Sequence, residues 1–184
     1  MAVNAPRLTR EHRVARLAFA REQGNWNIHN WGNVLFTDES RFCLCTSDRR
    51  IPVYRRDGER YFQCNIRPLT NFGEGSIMLW GGISLTGHTD LVLLDGGSLT
   101  ADRYIKNILE PHVVPYAPFI GNDFLLMHDN ARPHVAKIVT EYLQEVNIPV
   151  LGRPACSPDL NPIEHVWDNL YRRMRFRNML AANL

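Results

Sequence analysis

The sequence predicts a mixed α/β sheet, antiparallel in its first strands and parallel in its later ones, with helices on its faces. Three observations carry this. Residues 34–96 hold short apolar runs with strand character, separated by turn residues and free of helical periodicity. Residues 100–178 alternate helical patterns with short apolar runs, the order of βαβ units. The chain has 184 residues, 45% hydrophobic and 22% charged, enough to bury a core without disulfide or metal staples.

Each element follows from its residues. Residues 8–23 form a helix that can set Leu8, His12, Ala15 and Phe19 on one face. Glycines and asparagines in residues 24–33 end it, and Trp26 and Trp31 are suited to pack this linker back onto the domain. VLFTDESRFCLC, 34–45, alternates as a strand. A turn at Ser47-Asp48 leads to a hairpin partner at 50–56, and polar residues 57–75 form a loop. SIMLWGGISL, 76–85, is a buried strand in which Gly81-Gly82 marks a bulge or a close approach. A strand follows at 90–96, then a helix over about 101–115 capped by Thr100. A strand at 123–130, a helix at 133–146 and a strand at 148–151 complete the alternation. After a Gly/Pro-rich loop at 152–160, the last helix starts near Pro162 and carries Ile163, Val166, Trp167, Leu170 and Met174 on one face. Trp80 and Trp167 read as core residues.

No apolar run approaches the roughly 18 residues of a membrane span, and the N-terminus lacks the pattern of a secretory signal. Cys43, Cys45, Cys64 and Cys156 form no CxxC pair, which fits a reduced, intracellular protein with buried thiols. Net charge is only +2, yet 19 of the 21 basic residues are arginine. They cluster at residues 7–22 and again at Arg172, Arg173, Arg175 and Arg177. Arginine forks suit phosphate, so these patches read either as a nucleic-acid footprint or as solvated helix faces.

Three acids occupy special places. Asp38 lies within the first strand, Asp129 closes the strand that opens the parallel half, and Glu164 lies in the first turn of the last helix. Ligands of open α/β sheets gather at the carboxyl ends of strands. Carboxylates that converge there repel each other unless cations sit between them, and hard divalent ions accept such oxygen ligands. Each acid also has a structural reading. Asp38 and its neighbour Glu39 point to opposite faces, and periodicity alone does not choose between them. Asp129 can start an Asx turn. Asn161-Pro162-Ile163-Glu164 fits an N-cap closed by a capping box. His128, His134 and His165 flank the acids without zinc-ligand spacing and suit local hydrogen bonding.

The strings VLFTDESRF, IMLWGGIS, LLMHDNARPH and SPDLNPIEHVWD, in this order, resemble the catalytic domain of Tc-like transposases of the mariner superfamily. The similarity runs from about Leu8 to Arg177. The resemblance implies an RNase H-like fold and a DDE triad at Asp38, Asp129 and Glu164, choosing Asp38 over Glu39. The 34 residues between Asp129 and Glu164 match the spacing of that branch. It also implies two Mg²⁺ or Mn²⁺ ions on these three acids; beside them, Asn130 reads as a support for Asp129 or as a cap of the following helix, and His128 as a local hydrogen-bonding group or an indirect support of the metals. Arg132, Arg172, Arg173, Arg175 and Arg177 are the expected DNA contacts. The expected substrate is double-stranded DNA, as transposon ends and target, cut and joined by in-line displacement at phosphorus. A nuclear location and a homodimer are expected with it.

The expected organisation is a basic helix and linker at 1–32, the catalytic domain at 33–178 and a tail at 179–184. Relatives carry end-reading helix-turn-helix modules before this domain, so the chain is expected to be a truncated or degenerate copy. A catalytically silent, domesticated DNA-binding module is the alternative. Where relatives have Trp-Pro-Ala-Gln before SPDLNP, this chain has Arg153-Pro154-Ala155-Cys156.

Overall fold

The structure, a computed structural model, describes residues 8–43 and 76–181; for Cys43 and residues 175–181 the description is of backbone. The expected turn at Ser47-Asp48, the hairpin partner at 50–56, the loop at 57–75 and the thiols of Cys45 and Cys64 lie outside the described residues.

Helix α1 runs Arg10–Glu22 and starts at Thr9, whose hydroxyl accepts the backbone N–H of His12 at 3.3 Å. The linker holds a helical turn, α2 at Ile28–Gly32, because Asn27 caps it through the N–H groups of His29 and Asn30. Strand β1 is Val34–Cys43 and β2 is Ser76–Ile83; they pair antiparallel in unbroken register from Phe36 opposite Ile83 to Cys43 opposite Ser76. Gly81-Gly82 therefore makes no bulge. What these positions need is room: a Cβ on Gly82 would stand 3.0 Å from Leu35 Cδ1 and 3.2 Å from Thr37 Cγ2.

Regular pairing is shorter than the sequence predicts in three places. Strand β3 is only Val92–Leu93, β4 is Leu125–Met127, and the expected strand at 148–151 is a single parallel bridge of Val150 to Leu126. The sheet order is β3-β2-β1-β4, with β1 and β4 parallel. The mixed sheet is thus as expected.

The helix after Thr100 departs from ordinary winding. It opens as α3, Ala101–Tyr104, then widens into a π-helical segment, Ile105–Val113, that contains Pro111. An α-helical turn would press the proline ring against the carbonyl of Asn107, and Pro111 has no N–H to give. The wider turn relieves this, and Val114 N–H bonds Leu109 O, five residues back, at 2.9 Å. A short helix α4 follows at Ala117–Ile120. Helix α5 is Lys137–Glu145, shorter than expected at its start, and a 3₁₀ turn at Pro158–Leu160 precedes helix α6, Ile163–Ala181.

Side chains alternate along β1, so its two faces enter different cores. Leu35 joins Trp80, Tyr104, Ile108, Val139 and Leu143 beneath α3, its π-helical extension and α5. Val34 and Phe36 pack with Phe19 of α1, Met127 and Leu151, and Trp26 and Trp31 close over this cluster as expected. Phe42 meets Ile163 and Trp167 of α6, edge to face at 5.9 Å. Helices therefore cover both faces. Among the described residues, no helix is long and apolar enough to cross a membrane.

Candidate active site

One buried residue ties together the three segments that carry the nominated acids. Thr37 Oγ1 donates to Met127 O at 3.0 Å, fixing β1 against the end of β4, two residues before Asp129. Thr37 O accepts from Asn161 Nδ2 at 3.1 Å, fixing the start of α6 three residues before Glu164. Asp38 is the next residue on β1. The expected capping box at Asn161 is not formed: Nδ2 of this buried amide is held by β1, and Oδ1, the atom that would cap the helix, is buried without a hydrogen-bond partner. The Thr37→Val variant keeps the shape and removes the hydroxyl, leaving the Met127 carbonyl unpaired. It is expected to lose about 1–2 kcal/mol in urea denaturation. An unchanged midpoint would mean that other contacts fix the strand end.

Asp38 and Glu39 face opposite sides of the sheet, Asp38 with Phe36 and Phe42, Glu39 with Leu35 and Thr37. Asp38 is held up at about 7, first by burial and then by the negative charges of Glu164, Glu39 and Asp129, against the pull of Arg153. Asp129 lies at the other extreme, at about 2. Its Oδ1 accepts from His134 Nδ1 at 2.6 Å and from the Ala131 N–H at 2.8 Å, which together outweigh its partial burial.

His134 is the residue sequence reasoning undervalued. Its side chain is 2% exposed, and its Nε2 lies 3.3 Å from Glu39 Oε1, within ion-pair distance though outside hydrogen-bonding geometry. Burial works against a charge on this ring, but Asp129 and Glu39 overcome it and raise it to about 9. The ring packs on Tyr104 at 4.2 Å between centroids and on His128 at 5.2 Å. His128 goes the other way, down to about 4 by burial and by the charge on His134, and its Nδ1 is hydrogen-bonded to the Tyr104 hydroxyl at 3.1 Å. Each histidine thus makes its own local hydrogen bond, His134 to Asp129 and His128 to Tyr104, and the two rings stack. The donor atoms of Glu39, Asp129 and His134 lie within 4.8 Å of one another, close enough to share an ion. A protonated imidazole is a poor metal ligand, so these three atoms read as a charge pair with a shared cation, the histidine itself. The HDNARPH string held the signal for this. Glu39 carried none, because its part depends on a side chain 95 positions later.

The remaining nominees are placed as follows. Asn130 is exposed and donates Nδ2 to Arg153 O at 2.8 Å. Arg132 and Arg173 are exposed, Arg172 pairs with Asp168, and the side chains of Arg175 and Arg177 lie outside the description. Arg16 of α1 makes a two-pronged pair with Asp159, at 2.7 and 2.6 Å, just before α6. Cys156 is exposed, contrary to the buried thiol expected, at a position with φ of 55°. It lines a cavity of about 280 Å³ with Asp129, Asn130, Ala131 and Arg153.

Residues 33–182 match the family described as DDE superfamily endonuclease. The chain is 34% identical over 180 residues to the Tcb2 transposase of Caenorhabditis briggsae, covering 97% of this chain and 65% of that protein. It is 34% identical over 177 residues to the Tc1 transposase of Caenorhabditis elegans, covering 94% of this chain and 63% of that one. The chain therefore spans somewhat under two thirds of these relatives. Among solved structures, the Mos1 mariner paired end complex with Mn superposes with a TM-score of 0.65 at 21% identity, over 95% of this chain and 52% of that chain. That likeness shows the fold, the RNase H-like arrangement the motifs implied.

Proposed function

Since the chain belongs to the DDE superfamily endonuclease family, we propose that it cleaves DNA phosphodiester bonds and transfers the freed strand ends, with Asp38, Asp129 and Glu164 as its catalytic carboxylates. What supports this is that Thr37 ties β1, next to Asp38, to the end of β4 before Asp129 and to the start of α6 before Glu164, and that Asp38 is held at about 7 by burial first and then by the charges of Glu164, Glu39 and Asp129. The proposed substrate is duplex DNA, as transposon ends and target, acted on in a nucleus by a homodimer.

The donor set fits a hard divalent cation, because the three groups offer only oxygen and their crowding calls for positive charge. Two Mg²⁺ or Mn²⁺ ions on these residues would supply an activated water on one side of phosphorus and charge neutralisation of the leaving oxygen on the other. The chain's own residues prepare the site for this. His134 and the Ala131 N–H take Asp129 Oδ1, which leaves Oδ2 as the oxygen turned over to a ligand. Asn161 holds the start of α6 against β1 beside Asp38, and the charge of Glu164 in the first turn of that helix reaches Asp38.

Asp38 supplies a test independent of DNA. Its folded value of about 7 lies above the ordinary 3.8, so between these values the folded chain binds the proton more tightly than the unfolded chain. In metal-free buffer its contribution to stability therefore falls as pH rises from about 4 to 7. Asp38→Asn is expected to be more stable than the parent at pH 8, by on the order of 3 kcal/mol, with the gain shrinking towards pH 4. Added Mg²⁺ is expected to stabilise the parent and not the variant. A variant that melts below the parent at pH 8 without metal would contradict the crowding of acids.

The function itself is tested by nicking of supercoiled plasmid, a substrate that requires no end recognition. The purified chain is expected to nick with Mg²⁺ or Mn²⁺ and to stop on chelation. Nicking that persists in a chelator would exclude the proposed chemistry.

A further inference from the structure

The site holds a cation that the described chain does not use. Arg153 is half-buried, and its backbone is pinned by the bond from Asn130 Nδ2 to its carbonyl. Among the described residues its guanidinium makes no hydrogen bond and no ion pair, and Nη1 is buried without a partner. Guanidinium groups are always charged and carry five donors in a fixed fork. A surface arginine keeps such donors in water; a buried unpaired one costs free energy until an acceptor arrives. By contrast, Arg16 pairs with Asp159 and Arg172 with Asp168.

The position of Arg153 says which acceptor fits. It lines a cavity of about 350 Å³ with His128, Asn130, His134 and Gln144. It also lines the cavity of about 280 Å³ beside Asp129. The side chain is therefore part of both walls that flank Asp129-Asn130. Its charge reaches Asp38 and Asp129, drawing both downward. Yet no carboxylate oxygen of these residues pairs with it, so the guanidinium, with only Nη1 buried, is left to an anion from outside. An anion brought to this cleft by a DNA-cleaving chain is a backbone phosphate, whose paired oxygens match the fork.

We propose that Arg153 is a phosphate-binding residue of the active site, its guanidinium holding a DNA backbone phosphate next to Asp129. This deepens the DNA-cleaving reading and rests on it. It also gives a role to the place where the chain has Arg-Pro-Ala-Cys and the family it resembles has Trp-Pro-Ala-Gln. There, a cation adds an electrostatic contact to what would otherwise be packing.

The test is binding of a fluorescein-labelled 20-base-pair duplex, followed by anisotropy in Ca²⁺ from 50 to 300 mM NaCl. Arg153→Gln is expected to bind about tenfold more weakly at 100 mM salt. Its plot of log affinity against log salt should be shallower by about 0.9, the slope of one phosphate contact. Arg153→Lys, which keeps the charge and loses the fork, should restore the slope and part of the affinity. Arg153→Met keeps the apolar stem and serves as the second neutral variant, with thermal melting showing that each is folded. A folded neutral variant with the parent's slope overturns the proposal. Plasmid nicking separates the two readings. If the parent nicks while the slopes agree, the phosphate contact is wrong and the endonuclease reading stands. If the slope falls as expected but the parent never nicks, the contact stands and the endonuclease reading fails.

Discussion

Asp129→Asn is expected to reduce metal-dependent nicking of supercoiled plasmid by at least about 10³-fold, the several kcal/mol that a metal ligand contributes to charge stabilisation. Asparagine keeps an oxygen where Oδ1 accepts from His134 and Ala131, so the backbone turn after β4 has its bonds and the domain should fold. What it loses is the negative charge at a position held at about 2, where the carboxylate is ionised throughout the useful pH range. The measurement is the initial nicking rate of parent and variant in Mg²⁺ and in Mn²⁺, beside circular dichroism of both. A folded variant that nicks at the parent's rate would remove Asp129 from the mechanism.

His134→Ala is expected to be the most destabilising substitution in the site. It removes a buried cation that faces Asp129 Oδ1 at 2.6 Å and Glu39 Oε1 at 3.3 Å. Breaking such a pair strands the remaining buried charge, at a cost of about 3–5 kcal/mol. The sign with pH follows from the raised value of about 9 against the ordinary 6.5. The histidine's charge stabilises fully below pH 6.5, and this is lost as pH rises through 9. The gap between parent and variant in urea denaturation should therefore be widest near pH 6.5 and narrow by pH 10. His134→Gln, which retains a donor but no charge, should fall between them at pH 6.5. A gap independent of pH would mean that the ring matters for packing on Tyr104 and not for its charge.

These two residues also separate what was legible in the sequence from what was not. Asp129 could be nominated because the apolar run Phe124–Met127 ends in polar residues, and a strand end in an α/β sheet is where ligands gather. His134 lies in the same string, but whether it donates, ligates or packs depends on Glu39 and Tyr104, which are far away in sequence. The capping box read from Asn161 to Glu164 failed for a related reason. The local pattern was sound, yet the bond from Asn161 Nδ2 to a carbonyl on β1 sets the orientation of the amide, and its Oδ1 is left without a partner. Residues 101–115 read as one regular helix, whereas the structure widens it around Pro111 while Ile108, Leu109 and Val113 stay in the core.

The sequence by itself determined the class of fold, the order of its elements, the family and the three acids that merit testing. Those depend on periodicity, turn chemistry and motifs, which are local. Only the tertiary structure decided that Thr37 joins the three acid-bearing segments, that Glu39 enters the site through His134, and that Arg153 stands unpaired beside Asp129 while Arg172 of α6 pairs with Asp168. The physical reason is that charge and hydrogen-bonding state are set by which groups share a buried space. Residues 37, 127 and 161 share one only after β1, β4 and α6 have packed together.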